Sequence, residues 1–150
     1  MMKKTVSAFG LAIMAVSTVN AQEVTWSNSI KGIVEKQCII CHGSDSAAEY
    51  QMFKKDKEKW LAKGLGMRMD SYSHMVSFVG WPNSGAMMRR LDDGKSSSDG
   101  KQGNMYHHLG ATEEERQLNL AQFKAWVGNW TLKRWAEITK DDLSGIKAKY

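Results

Sequence analysis

At 150 residues and 42% hydrophobic, the chain has material for one domain with a core, or one domain with a tail. Its formal charge of +5 is too mild to argue for a nucleic-acid partner. Ten methionines are many for this length; most read as filler of irregular apolar gaps, but a thioether can also ligate a soft metal.

The chain opens with the basic "MMKK", followed by "TVSAFGLAIMAVSTV", an apolar run of 15 residues, and the small-residue site "VNA". This pattern predicts a signal peptide over residues 1–21, cut before Gln22. The run falls short of the ~20 apolar residues of a membrane helix. The first cysteine, Cys38, lies too far on for a lipid anchor at the cut. The expectation is an exported, soluble, periplasmic protein without a stable membrane anchor. Loss of Lys3 and Lys4 would take the charge from +5 to +3, which favours acidic protein faces as docking partners.

The mature chain, 22–150, reads as helices and loops; no alternating β-branched run is long enough for a convincing strand. In "WSNSIKGIVEKQC", Ser27 or Asn28 is placed to cap a helix with Ile30, Ile33 and Val34 on one face. "SAAEYQMFKKDKEKWLAKG" predicts a second helix, whose run from Lys54 to Lys59 mixes signs as a solvated face does. "DSYSHMVSFVG" predicts a short helix capped by Ser71 or Ser73 and stopped by Gly80. "WPNSGAMMRRL", around the single Pro82, predicts a fourth.

Residues 92–104 read as a polar loop that matches neither a calcium loop nor a phosphate cradle. "TEEERQLNLAQFKAWVGNW" opens on a capping box, with Thr112 as cap and Glu115 bonding back. Its acids suit the positive end of the helix dipole, and Leu120, Phe123 and Val127 share a stripe beside Trp126 and Trp130. Gly128 marks its end. After about residue 130 a tail offers a further capped start at Thr139 with Asp142, predicting a short helix laid over the core. There is no internal repeat.

The chemistry sits in "QCIICHGSD". Cys38 and Cys41 are the only cysteines, and His42 follows directly. Three readings compete. A redox disulfide belongs at the end of a strand in a βαβ unit, and this segment is helical. A zinc site needs a second ligand pair, and only His74, His107 and His108 remain. Covalent haem uses this spacing as it stands: two thiols reach one porphyrin edge and the next histidine reaches the iron. The haem reading is favoured.

With these residues in view, the chain resembles the small monohaem c-type cytochromes of the bacterial periplasm, a class I-like cytochrome c family. The resemblance covers "SIKGIVEKQCIICHG" and "GNMYHHLGATEEERQLNLAQFKAWVG". It implies an all-α fold wrapped around one covalent haem c, with a C-terminal helical extension. Cys38 and Cys41 would hold the haem, His42 would be the proximal iron ligand, and Met105 would match the family's loop methionine. Tyr106 stands where the family commonly has proline, and Gly32 stands in for its close-packing helix glycine.

The distal ligand stays open among Met105, the pair Met87 and Met88, and His107 or His108, with Met105 favoured for its loop just before Thr112. Trp60, Phe78, Trp81, Phe123, Trp126 and Trp130 are candidate pocket walls, and Arg89 or Arg90 a candidate propionate partner. No catalytic dyad or triad is evident. The expected function is one-electron transfer between redox partner proteins, not catalysis. The alternatives are a haem subunit of a larger oxidoreductase, or a gas-binding haem protein with an open sixth site.

Overall fold

The structure is a computed structural model and describes residues 22–150; the expected signal peptide, 1–21, lies outside the described residues. The described chain is all-α. A π-helical turn, Trp26–Ile30, runs into α1 (Lys31–Gln37) and the single turn α2 (Ile39–His42). Then come α3 (Tyr50–Lys55), α4 (Lys57–Ala62), α5 (Tyr72–Val76) and α6 (Ala86–Leu91). The 3-10 turn Tyr106–Leu109 precedes the long α7 (Glu113–Val127), and a second one, Trp135–Glu137, precedes α8 (Lys140–Ser144). Among the described residues the β structure is limited to two isolated bridges, Ala48 with Met67 and Gly128 with Ile146. No described helix is long and apolar enough to cross a membrane.

The caps explain where the helices begin. Thr25, rather than the expected Ser27 or Asn28, is the cap: it accepts from Asn28 N–H, while the Asn28 side chain accepts from Thr25 N–H at 2.8 Å. Ser71 accepts from the His74 N–H at 3.3 Å and opens α5. Thr139 and Asp142 form the expected capping box of α8. The predicted second helix is broken in two at Asp56, whose backbone leaves the helical region while its carboxylate caps α4 through the Lys59 N–H. Thr112 caps α7 as expected, but the Glu115 carboxylate reaches back to Ala111 N–H at 2.8 Å. At its other end, Gly128 takes φ +81°, a left-handed turn open to glycine without strain, and α7 stops.

The core forms where α7 crosses the first helical segment. Leu120, Phe123, Trp126 and Val127 of α7 are buried against Trp26, Ile30 and Val34. Each such side chain contributes about 1.5–3 kcal/mol by leaving water. Gly32 plays no part in this crossing: it is exposed, and a Cβ there would meet nothing within 4 Å. The small residue at the contact is Ser29, whose hydroxyl donates to Gln122 Oε1 at 2.8 Å. Met87 and Met88 are core residues, 3% and 0% exposed.

The C-terminal extension does more than lie over the core. No residue of α8 is buried. The strap after it, residues 146–149, threads inward beside Trp126. Lys149 O accepts from Trp26 N–H at 2.8 Å and from Trp126 Nε1–H at 2.7 Å. Tyr72 OH donates to Ala148 O at 2.9 Å. The first and last segments of the described chain are therefore joined through α7.

Candidate functional site: the cysteine-histidine turn

Helix α1 breaks at Cys38, and α2 completes one turn before Gly43 goes extended. The His42 N–H returns to Cys38 O at 2.9 Å, and Gly43 N–H to Ile39 O at 2.8 Å. This compact turn puts Cys38, Cys41 and His42 on one short element. Cys38 is partly buried against the core, and burial, with the neighbouring Cys41, pushes its thiol up to about 11. Cys41 is exposed, and both thiols are free. The intervening Ile39 and Ile40 face water, Ile40 at 80% exposure.

A backbone wall stands beside the histidine. His42 Nδ1 lies 2.7 Å from Met67 O. A carbonyl only accepts, so Nδ1 carries the hydrogen and Nε2 keeps its lone pair. Met69 N–H donates to His42 O at 2.9 Å, and Arg68 N–H to Ala48 O at 2.8 Å, which holds residues 67–69 against the turn. Gly66 allows the close approach: a Cβ there would stand 3.0 Å from His42 Cε1. An imidazole whose Nδ1–H is pinned to a carbonyl presents Nε2 to a metal, so the donor set fits a haem iron.

The loop before α7 is brought to the same region. Glu115 Oε1 accepts from Lys36 Nζ at 2.6 Å and from Gln37 Nε2 at 3.1 Å, tying the start of α7 to the end of α1. The turn Tyr106–Leu109 packs on α1, α6 and α7. Desolvation, then the charges of His107 and His42, lower the His108 imidazole below its ordinary value, so His108 lies within electrostatic reach of His42. Met105 is partly buried against the core, its N–H bonded to Arg90 O at 2.9 Å.

Other candidates are occupied elsewhere. His74 Nδ1 is 2.8 Å from the Ser71 hydroxyl and 3.2 Å from Asp70. Phe78, Phe123 and Trp126 are core residues. Trp60 lies under Lys59 and Lys63, Trp81 is exposed, and Trp130 donates to the buried Asp92 at 2.8 Å. Arg89 bonds to Lys133 O, and Arg90 to Asn104 Oδ1 at 3.0 Å. Reading the sequence missed Gly66, Met67 and Met69. The signal was the repeated small-and-methionine stretch "GLGMRM" between two helices, which carries no periodicity.

The family model of PccH cytochrome c matches residues 25–150. The chain belongs to the PccH cytochrome c family. Among solved structures, that of monohaem cytochrome PccH from Geobacter sulfurreducens is similar, with 61% sequence identity and a TM-score of 0.79. The match covers 86% of this chain and 100% of that one. No curated protein shows significant similarity to the chain. The PccH cytochrome c family supports electron transfer by haem, and this helical chain carries the fold of a small monohaem cytochrome c.

Proposed function

We propose that this cytochrome is an exported, periplasmic one-electron carrier, with residues 1–21 as its export signal and one haem c bound covalently through Cys38 and Cys41. His42 serves as proximal ligand through Nε2 and Met105 as distal ligand. The observation that carries this reading is the 2.7 Å contact between His42 Nδ1 and Met67 O, which fixes the tautomer an iron ligand needs. When bound, the haem iron supplies a ferric–ferrous couple.

The chain's own residues supply the rest. Met67 O and Gly66 orient the imidazole. The core of α1 and α7 provides low-dielectric packing. Met105 is favoured over Met87 and Met88 because it is only partly buried, on the loop beside the motif, whereas the other two sit inside the core. The partners are redox proteins with acidic faces, met by a basic surface.

The decisive experiment is optical. The oxidised holoprotein shows the weak far-red sulfur-to-iron band, and the reduced form binds carbon monoxide poorly. Met105→Ala abolishes the band and opens the site to carbon monoxide; Met87→Ala and Met88→Ala keep the band and lose stability, about 2–5 kcal/mol each. Colour that leaves in acid–acetone refutes covalent attachment. A wild type without the band that binds carbon monoxide readily favours the gas-binding reading instead.

A further inference from the structure

Trp81 and Trp135 are 66% and 49% exposed, yet they pack on each other, ring centroids 4.4 Å apart and planes at 77°. A single exposed apolar residue needs no explanation, but two joined indoles, with exposed Pro82 adjoining, form a patch. Their positions are fixed. Arg89 Nη1–H donates to Lys133 O, and a Cβ on Gly85 would meet Lys133 O at 2.5 Å and Thr131 O at 3.2 Å, so the segment carrying Trp135 lies tight on the start of α6.

Three cations lie on the same segments, Arg89 and Arg90 on α6 and Arg134 directly before Trp135. Arg89, Arg90 and Arg134 make no ion pair among the described residues. Burial, then the like charges of Arg134 and Arg90, shift the Arg89 guanidinium below its ordinary value; Glu137 works the other way. The Glu137 carboxylate is already engaged by Arg134 N–H at 2.7 Å, and Lys133 is paired with Asp142 at 2.8 Å. The segments that carry the exposed aromatics thus also carry arginines of like charge close enough to repel one another. Tryptophan and arginine are the side chains most enriched where protein partners bind tightly.

We infer that Trp81 and Trp135, with Arg89, Arg90 and Arg134, form a docking surface for a partner protein's acidic segment bearing an apolar anchor. Its carboxylates relieve the repulsion among the arginines while the anchor covers the indoles. A second copy of this chain brings the same cations face to face, which argues against self-association. A lipid surface is ordinarily met by a long amphipathic helix rich in lysine, whereas these residues are spread over the short α6, the turn before it and the 3-10 turn Trp135–Glu137. The inference is independent of which groups ligate iron.

The test uses the full mature holoprotein and a probe peptide, acetyl-Glu-Glu-Phe-Glu-Glu-amide, with indole and arginine side-chain NMR signals as readout. The expected result is saturable shifts at the Trp81 and Trp135 indoles that weaken with salt, and none with the Lys-Lys-Phe-Lys-Lys counterpart. Trp81→Ala with Trp135→Ala weakens binding about tenfold or more, and so does Arg89→Gln with Arg90→Gln and Arg134→Gln. The second set keeps the aromatics and guards against a folding artefact of the first. The absence of a saturable shift at these indoles and arginines overturns the inference. So does tighter binding at this patch by phosphatidylglycerol vesicles or a thymidine oligonucleotide, or a dimer that the tryptophan variants dissolve.

Discussion

His42 Nδ1 and Met67 O stand 2.7 Å apart, and Gly66, one residue before Met67, borders the same imidazole ring. A hydrogen bond from a ligating histidine to a carbonyl raises the basicity of its other nitrogen and so favours ferric iron. Gly66→Ala would set a methyl 3.0 Å from His42 Cε1 and push the ring off this partner. The expected outcome is a midpoint potential higher by tens of millivolts, given roughly 60 mV per tenfold change in relative affinity. Spectroelectrochemical titration reads it; an unchanged potential would show that the contact does not tune the iron.

Asp93 makes the fold sensitive to acid. Its side chain is 2% exposed, with Lys95 Nζ at 2.9 Å, Lys124 Nζ at 3.7 Å and Gln117 Nε2 at 3.2 Å. Burial alone would raise its pKa, but the hydrogen bonds from Lys95 and Gln117 and the charge of Lys124 hold it down at about 2. A folded-state value below the unfolded one of 3.8 means the contribution is full above about pH 4 and fades as pH falls toward 2. The shift corresponds to about 2 kcal/mol. Urea unfolding at pH 7 and at pH 2.5 checks this. Asp93→Asn is less stable than wild type at pH 7, and the gap narrows in acid; a gap independent of pH counts against it.

The site was legible in the sequence to the extent that chemistry is local. "CIICH" is a five-residue pattern whose spacing alone narrows the chemistry, and the cap at Thr112 and stripe of Leu120, Phe123 and Val127 are set within a few turns of one helix. The partners that orient those residues were not legible. Met67 acts through its carbonyl, which every residue has, and Glu115 reaches Lys36 from 79 positions away. The break at Asp56 was missed because the residues on both sides favour helix, and only the aspartate's preference for capping divides them. The strap after α8 carries no periodicity, since its carbonyls accept from the Trp126 indole, the Trp26 backbone N–H and the Tyr72 hydroxyl.

Tyr106 stands in the position after Met105 where proline is common in cytochromes c. It is 1% exposed, and its hydroxyl donates to Glu113 Oε1 at 2.5 Å while accepting from Gln117 Nε2 at 2.6 Å. Those bonds clamp the loop to the first turns of α7, giving by hydrogen bonding the stiffness that a proline ring gives by closure. Tyr106→Phe keeps the ring and removes the clamp, at about 1–3 kcal/mol. If Met105 is the distal ligand, the far-red band disappears at a lower temperature than in wild type and carbon monoxide binds faster. A variant that loses stability while band and carbon monoxide rates stay as in wild type separates Tyr106 from the ligand loop.

The C-terminal strap makes a graded prediction. Tyr150 is 70% exposed and touches Tyr72 edge-on, with centroids 5.2 Å apart, so its deletion costs under about 1 kcal/mol. Deleting residues 146–150 removes Lys149 O and Ala148 O, the acceptors of Trp26 N–H, Trp126 Nε1–H and Tyr72 OH. Trp26 and Trp126 are buried at 4% and 0% exposure, so these donors lose partners where water enters poorly. Each unsatisfied donor costs about 1–3 kcal/mol, against a total stability of roughly 5–15 kcal/mol for a domain. The longer deletion should therefore lower Tm by more than about 10 °C or prevent folding. Trp126→Phe removes a single donor while keeping an aromatic ring, and should fall between the two deletions. Thermal unfolding of the three variants, followed by circular dichroism, gives the order. Equal, small losses across the series would mean that the strap only covers the core and does not join the two ends of the described chain.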